Sequence, residues 1–296
     1  MKKRLFTTAL AIGAAGMLAL SGCTAGDSTG ASGDSKGTID IGLFNWDEAI
    51  AVSNLWKHVL EEEGYEVNLT DADPGAVFLG LSEGDFDVVL DVWLPLTHKD
   101  YLEEYGDKIV ELGAWNDEAV LTIAVNEDAP IDSLEELADN ADLFNNQIVG
   151  IEPGAGLTTV TTDTVIPTYG LEDMEYTTSS TPAMLSELKA ATSAGENIAV
   201  TLWRPHWAYD AFPLKDLKDP KGTLGDAESL YSYGSMTFED DFPEVAERMK
   251  AFRMDSETLH SLENAMFNEN DDPSNYGAII TEWLADNPDF ADSLAK

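Results

Sequence analysis

The chain has 296 residues, of which 44% are hydrophobic and 24% charged, a composition that suits one large or two smaller globular domains. Its 56 acidic against 16 basic residues leave a net charge of -40. That argues against nucleic acid as a partner, because phosphate contacts need Lys and Arg, and it disfavours adsorption to anionic lipid. The acidic excess reads as a solvated coat whose self-repulsion salt would screen.

The first 22 residues read as an export signal: Lys2-Lys3-Arg4 is a positive n-region and Leu5 to Leu20 an apolar h-region. Leu20-Ser21-Gly22-Cys23 resembles the lipobox of bacterial lipoproteins, which implies cleavage before Cys23 and lipid on its thiol. Cys23 is the only Cys, so no disulfide forms within the chain. Residues 23–37, rich in Gly, Ser, Thr and Asp, read as a flexible, lipidated tether. No other stretch approaches the ~20 apolar residues of a membrane span. An extracytoplasmic protein anchored to the cell membrane through Cys23 is expected.

The folded part begins at Thr38. Ile39 to Leu43 alternates as a strand, a helix follows over Glu48 to Glu63, and Val67 to Leu69 is a second strand. Pro74 opens a helix that ends at Gly84, and Val88 to Leu90 is a third strand, stopped at Pro95. Thr97 is placed to cap a helix from His98 to Tyr105. This β-α-β-α-β order predicts a parallel α/β sheet. Ile109 to Leu112 and Val120 to Val125 are further strands, and Asp132-Ser133 caps a helix over Leu134 to Leu137. A second α/β run follows: a strand at Ile148 to Ile151, helices over Thr158 to Tyr169 and Thr181 to Ala191, and a strand at Ile198 to Leu202. Loops are expected after Asp219-Pro220, then helices at Pro243 to Phe252, Ser256 to Phe267 and Tyr276 to Leu284. The plan is α/β with two lobes: residues 38–125 and 215–296 form one, residues 126–214 the other.

Three segments share a layout in which a strand ends in Trp: Phe44-Asn45-Trp46, Asp91-Val92-Trp93 and Thr201-Leu202-Trp203. Ligands of open α/β sheets bind at such strand ends. Three indole faces would make an aromatic cage for a cation without hydrogen-bonding groups, above all a quaternary ammonium. Gly154-Ala155-Gly156-Leu157 leaves a strand and enters a helix, where backbone amides can meet a carboxylate. His98, five residues beyond Trp93, is a second carboxylate candidate. His206, Trp207, Trp115, Trp56 and Trp283 read as structural residues. The sequence holds no Gly-x-Ser-x-Gly, His-Glu-x-x-His or Walker motif, and its four His show no metal spacing. No cofactor, metal or catalytic group is expected, and the chain is read as not an enzyme.

The segments Asn45-Trp46-Asp47, Trp93-Leu94-Pro95 with Thr97-His98-Lys99, Gly150 to Gly156, and Trp203-Arg204-Pro205-His206-Trp207 together resemble the glycine betaine binding proteins of osmoprotectant ABC importers. The resemblance runs from Thr38 to about Phe252. It implies the two-lobed periplasmic-binding-protein fold (type II), with the ligand in the inter-lobe cleft. It also implies a cage of Trp46, Trp93 and Trp203 around the trimethylammonium group, and a carboxylate site made by His98 with the amides of Gly156 and Leu157. The implied partners are glycine betaine or a related zwitterion and an ABC permease with its ATPase. A choline- or carnitine-specific binding protein is the alternative, since Asp47 and Asp91 adjoin cage residues. A secreted carboxylate-pair hydrolase is the alternative from another class.

Overall fold

A computed structural model describes residues 36–270 and 272–294. The export signal and Cys23 lie outside the described residues. Among the described residues no helix is long and apolar enough to cross a membrane.

The first sheet starts with the expected parallel unit. Strand β1 (Thr38–Leu43) lies between β2 (Glu66–Asp71) and β3 (Val88–Leu94), parallel to both. The crossovers are α1 (Asp47–Glu62) and α2 (Pro74–Glu83). Proline at the start of α2 and left-handed Gly84 (φ 81°) past its end follow the usual asymmetry of helix ends. The apolar stripe of α1, Ala51, Val52, Leu55, Trp56 and Leu60, is buried. The short helix α3 (Lys99–Tyr105) comes after β3.

The two strands expected at 109–112 and 120–125 are one strand, β4 (Ile109–Asn126), of 18 residues and roughly 60 Å of extended chain. It joins two sheets. Its residues up to Ala119 pair with β9 (Glu228–Ser235), and from Val120 onward they pair with β7 (Ala199–Arg204). Three register shifts lie between Glu111 and Ala119, and such bulges bend and twist a strand. The second sheet is completed by β5 (Gln147–Val149) and β6 (Glu175–Thr177), parallel to each other, and by β8 (Leu214–Asp216) against the end of β4.

Strand β9 lies where loops were expected. It runs antiparallel between β3 and β4 in the middle of the first sheet. Its sequence, Glu-Ser-Leu-Tyr-Ser-Tyr-Gly-Ser, is polar, yet Glu228, Leu230 and Ser232 to Ser235 are all buried. Tertiary pairing, not hydrophobicity, sets this strand. The C-terminal helices Ser256–Glu263 and Tyr276–Asp286 pack on α1. Arg248 ties the C-terminal end in: its Nη1 meets both oxygens of Glu63 at 2.6 and 2.8 Å and its Nη2 donates to the Leu294 carbonyl at 2.7 Å.

Candidate ligand-binding cleft

The C-terminal ends of β1, β3 and β7 carry Trp46, Trp93 and Trp203. All three are buried and line one cleft, together with Glu48, Thr97, Leu121, Ile151, Ala155, Gly156 and Leu157. The cavity they enclose is small, about 20 Å³. Trp46 and Trp93 come from the first sheet, Trp203 from the second. Larger surface grooves occur elsewhere, but none of them gathers three tryptophans.

A buried indole needs a partner for its N–H, and each ring finds a carboxylate. Trp93 Nε1 donates to Asp91 Oδ1 at 3.1 Å, Trp203 Nε1 to Glu48 Oε2 at 2.8 Å, and Trp46 Nε1 to Glu152 Oε2 at 3.3 Å. Thr181 also donates to Glu152, through its hydroxyl at 3.1 Å. These acids fix the ring planes. Among the described residues, neither Lys nor Arg pairs with Asp91, Glu48 or Glu152, and no cluster of acids and His is arranged to hold a metal ion.

Asp91 and Glu48 lie close enough to interact and both are fully buried. Burial pushes the Asp91 carboxyl up to about 8. It raises Glu48 well above the usual range, with Asp91 and Glu263 adding to the rise. Two like charges in such a place cannot both ionise cheaply. Folded Asp91 keeps its proton to about pH 8, whereas the unfolded chain loses it near 3.8. The folded state binds more protons in that window, so stability falls as pH rises through it. Asp91→Asn should therefore narrow the difference in melting temperature between about pH 5 and about pH 8 relative to the wild type. An unchanged pH profile would place the controlling proton elsewhere.

The segment after β3 turns sharply, with a cis peptide between Leu94 and Pro95. Thr97 does not cap α3 as expected; His98 stands at the N-cap and makes no side-chain cap bond. The Thr97 hydroxyl donates instead to Glu228, whose other oxygen accepts the amides of Leu96 at 2.7 Å and Thr97 at 2.9 Å. Glu228, at the start of β9, thus clamps the turn between Trp93 and His98. Sequence reasoning missed it, because nothing distinguishes one acid among 56.

His98 is fully buried behind the cage, stacked on Trp46 at 5.5 Å and 13° and flanked by Phe44 and Phe78. It does not line the cleft with the three Trp. Burial drops its pKa to about 3, so the ring is neutral. Its Nδ1 accepts the Trp93 amide at 3.0 Å, which puts the proton on Nε2. That buried N–H has no partner within the protein, a state that costs free energy unless something accepts from it.

Gly156 and Leu157 open a helix, Gly156–Val160, that continues to Tyr169 through a π turn. Amides in a helix's first turn have no intrahelical acceptor. A Cβ on Gly156 would lie 2.0 Å from the Thr97 carbonyl oxygen, so the backbones of the two sides touch there and only Gly fits. Trp115 and Trp56 are core residues as expected, Trp115 Nε1 donating to the Leu90 carbonyl at 2.6 Å. Arg204, which had no reading from sequence, stacks over Tyr209 at 3.4 Å and bonds Asp216 at 2.6 Å.

Two sheets joined by a shared strand, with aromatic strand ends meeting in a cleft between them, define a two-lobed binding protein of the periplasmic type II class. Two solved structures share the fold. The glycine/betaine/L-proline-binding protein ProX of Borrelia burgdorferi is 28% identical with a TM-score of 0.80, covering 87% of this chain and 96% of that one. Lactococcal OpuAC, in its closed form complexed with glycine betaine, is 27% identical with a TM-score of 0.80, covering 88% and 99%. The glycine betaine/carnitine transport binding protein GbuC of Listeria monocytogenes is 33% identical over 165 residues, which is 54% of this chain and 52% of that protein. The match thus spans about half the length of that relative. Residues 37–286 match the substrate binding domain of the ABC-type glycine betaine transport system, and the chain belongs to that family.

Proposed function

We propose that the chain is the extracytoplasmic receptor of an ABC importer, capturing glycine betaine or a closely related zwitterion and handing it to a permease with its ATPase. The observation that carries this reading is the cleft itself. Three indole faces converge from both sheets, and beside them lie an unpaired buried His98 Nε2–H and the first amides of the Gly156 helix. Trp46, Trp93 and Trp203 hold the trimethylammonium group, which gives up little hydration on entry. His98 and the amides of Gly156 and Leu157 hold the carboxylate. Desolvated cage faces at ~2 kcal/mol each, with charge-assisted hydrogen bonds of ~1.5–3 kcal/mol, reach the about −8 kcal/mol of micromolar affinity.

The protein works by binding alone, without turnover. Its lobes, residues 38–125 with 215–296 and residues 126–214, close over the ligand by bending where β4 passes between the sheets. The acidic coat is exposed outside the cytoplasmic membrane, and lipid on Cys23 tethers it there. A choline-binding reading is favoured by one observation, the Glu48 carboxyl in the cleft wall, but burial and Asp91 raise the pKa of that group well above the usual range, which weakens it as a counter-charge.

The two readings part at His98. His98→Ala should weaken glycine betaine binding by about tenfold or more, the worth of one charge-assisted hydrogen bond, and choline binding far less, because choline has no carboxylate. Calorimetry with both ligands checks this. Equal losses would remove His98 from the carboxylate site, and tighter binding of choline than of betaine by the wild type would favour the second reading.

A further inference from the structure

The motif Trp203-Arg204-Pro205-His206-Trp207 contains two residues that the cage does not use. Trp207 and His206 follow β7 of the second sheet. Asp47 opens α1, beside the first sheet. Yet the Trp207 indole N–H donates to Asp47 Oδ2 at 2.9 Å, and His206 Nε2 lies 3.1 Å from the same oxygen. His206 Nδ1 accepts the Ala208 amide at 3.0 Å, so its proton sits on the nitrogen that faces Asp47. His206 is 1% exposed and Asp47 9%. None of the three lines the ligand cleft. The carboxylate therefore joins the two sheets outside the ring of residues that lines the cleft.

The surroundings of Asp47 make this contact one-directional. Glu48 and Glu263 lie nearby and are fully buried, and the pKa of each is raised well above the usual carboxylate range, that of Glu263 by burial and then by Asp47 itself. Among the described residues neither Lys nor Arg pairs with Asp47. Its hydrogen-bond donor from the far side is the Trp207 indole N–H, with the His206 ring 3.1 Å away. Opening the cleft would break the Trp207–Asp47 hydrogen bond and draw the His206 ring away from the same carboxylate.

We propose that Asp47 is a positioning residue which, with Trp207 and His206, forms a latch across the cleft that sets how much of the protein is closed, and hence its affinity, without touching the ligand. The proposal rests on the binding-protein reading above. Observed affinity is the intrinsic affinity scaled by the fraction of molecules in the competent state. A latch of this kind changes affinity for every ligand by the same factor and leaves the preference among ligands alone. Trp46–Glu152 and Trp203–Glu48 also cross between the sheets, but their rings are walls of the cage; the Asp47 contact, like Tyr101–Gly154 and Asn264–Asp210, involves no cage ring and so separates closure from recognition.

Trp207→Phe tests it, since the phenyl ring keeps the packing against Phe212 and loses only the N–H. The radius of gyration of the ligand-free protein should be larger than in the wild type. The Kd for glycine betaine and for choline should rise by the same factor, about tenfold, and saturating betaine should restore the compact form. A wild-type radius with a wild-type Kd would overturn the proposal, as would a changed betaine-to-choline ratio, which would make Trp207 a ligand contact. Should Trp207→Phe fail to fold by circular dichroism, Asp47→Asn, which keeps an acceptor but loses the charge, decides the question with a smaller shift in the same direction. If the wild type binds neither ligand, the receptor reading fails, and the ligand-free scattering comparison still decides the latch.

Discussion

Gly156→Ala should reduce glycine betaine affinity by about a hundredfold or more. The added carbon would sit 2.0 Å from the Thr97 carbonyl oxygen. That oxygen belongs to backbone, and Thr97 is held in turn by Glu228 through its amide and its hydroxyl. The Thr97 methyl is also met at 2.7 Å, but the nearest atom is backbone and cannot swing aside. The obstacle acts between the sheets, however, and not within either. Gly156 begins a helix, where Ala is the better residue by about 1 kcal/mol. The variant should therefore fold and melt close to the wild type while its cleft cannot close. Calorimetry alongside a melting curve checks both halves. Wild-type affinity in the variant would mean that the contact between Thr97 and Gly156 is not part of the bound state.

Trp93→Ala should cost well over tenfold in affinity. Trp93 is 2% exposed at the end of a strand whose first six residues are all buried. Its ring plane is fixed by the bond to Asp91, and its own amide is the donor that sets the His98 tautomer. Truncation removes one indole face, about 2 kcal/mol if desolvated, and opens a path for water to the remaining two. The backbone amide of residue 93 survives the substitution, so His98 keeps its proton on Nε2. The loss should fall on the cation's end of the ligand: glycine betaine and choline should lose alike, in contrast to their divergence with His98→Ala.

The legible part of this protein was local. Trp46, Trp93 and Trp203 could be found because each ends a recognisable strand, and the Gly-rich exit of β5 announces itself by composition. The elements β1 to β3 and their helices follow from periodicity, Pro74 and Gly84. What remained hidden depends on distant partners. β9 is polar and contains Gly, and it becomes a strand only because β3 and β4 offer both edges. Glu228, Asp91, Glu48 and Glu152 are individually indistinguishable among 56 acids; burial alone turns them into anchors for indole N–H groups and for the turn at Thr97. The expected Thr97 cap failed for the same reason, since its hydroxyl serves an acid 131 residues away. Two strands looked separate where β4 runs on, because the Gly113 region is bulged and the sequence between 113 and 119 is polar.

The central claim is that a quaternary ammonium zwitterion sits among the three tryptophans. Calorimetric titration of the wild type and Trp93→Ala with glycine betaine, side by side, tests it most directly. The account predicts saturable binding to the wild type with a Kd in the micromolar range, about −8 kcal/mol, and a loss of well over tenfold in the variant with an unchanged circular dichroism spectrum. Equal affinity in the two proteins would contradict the cage, and no heat from the wild type would contradict the ligand.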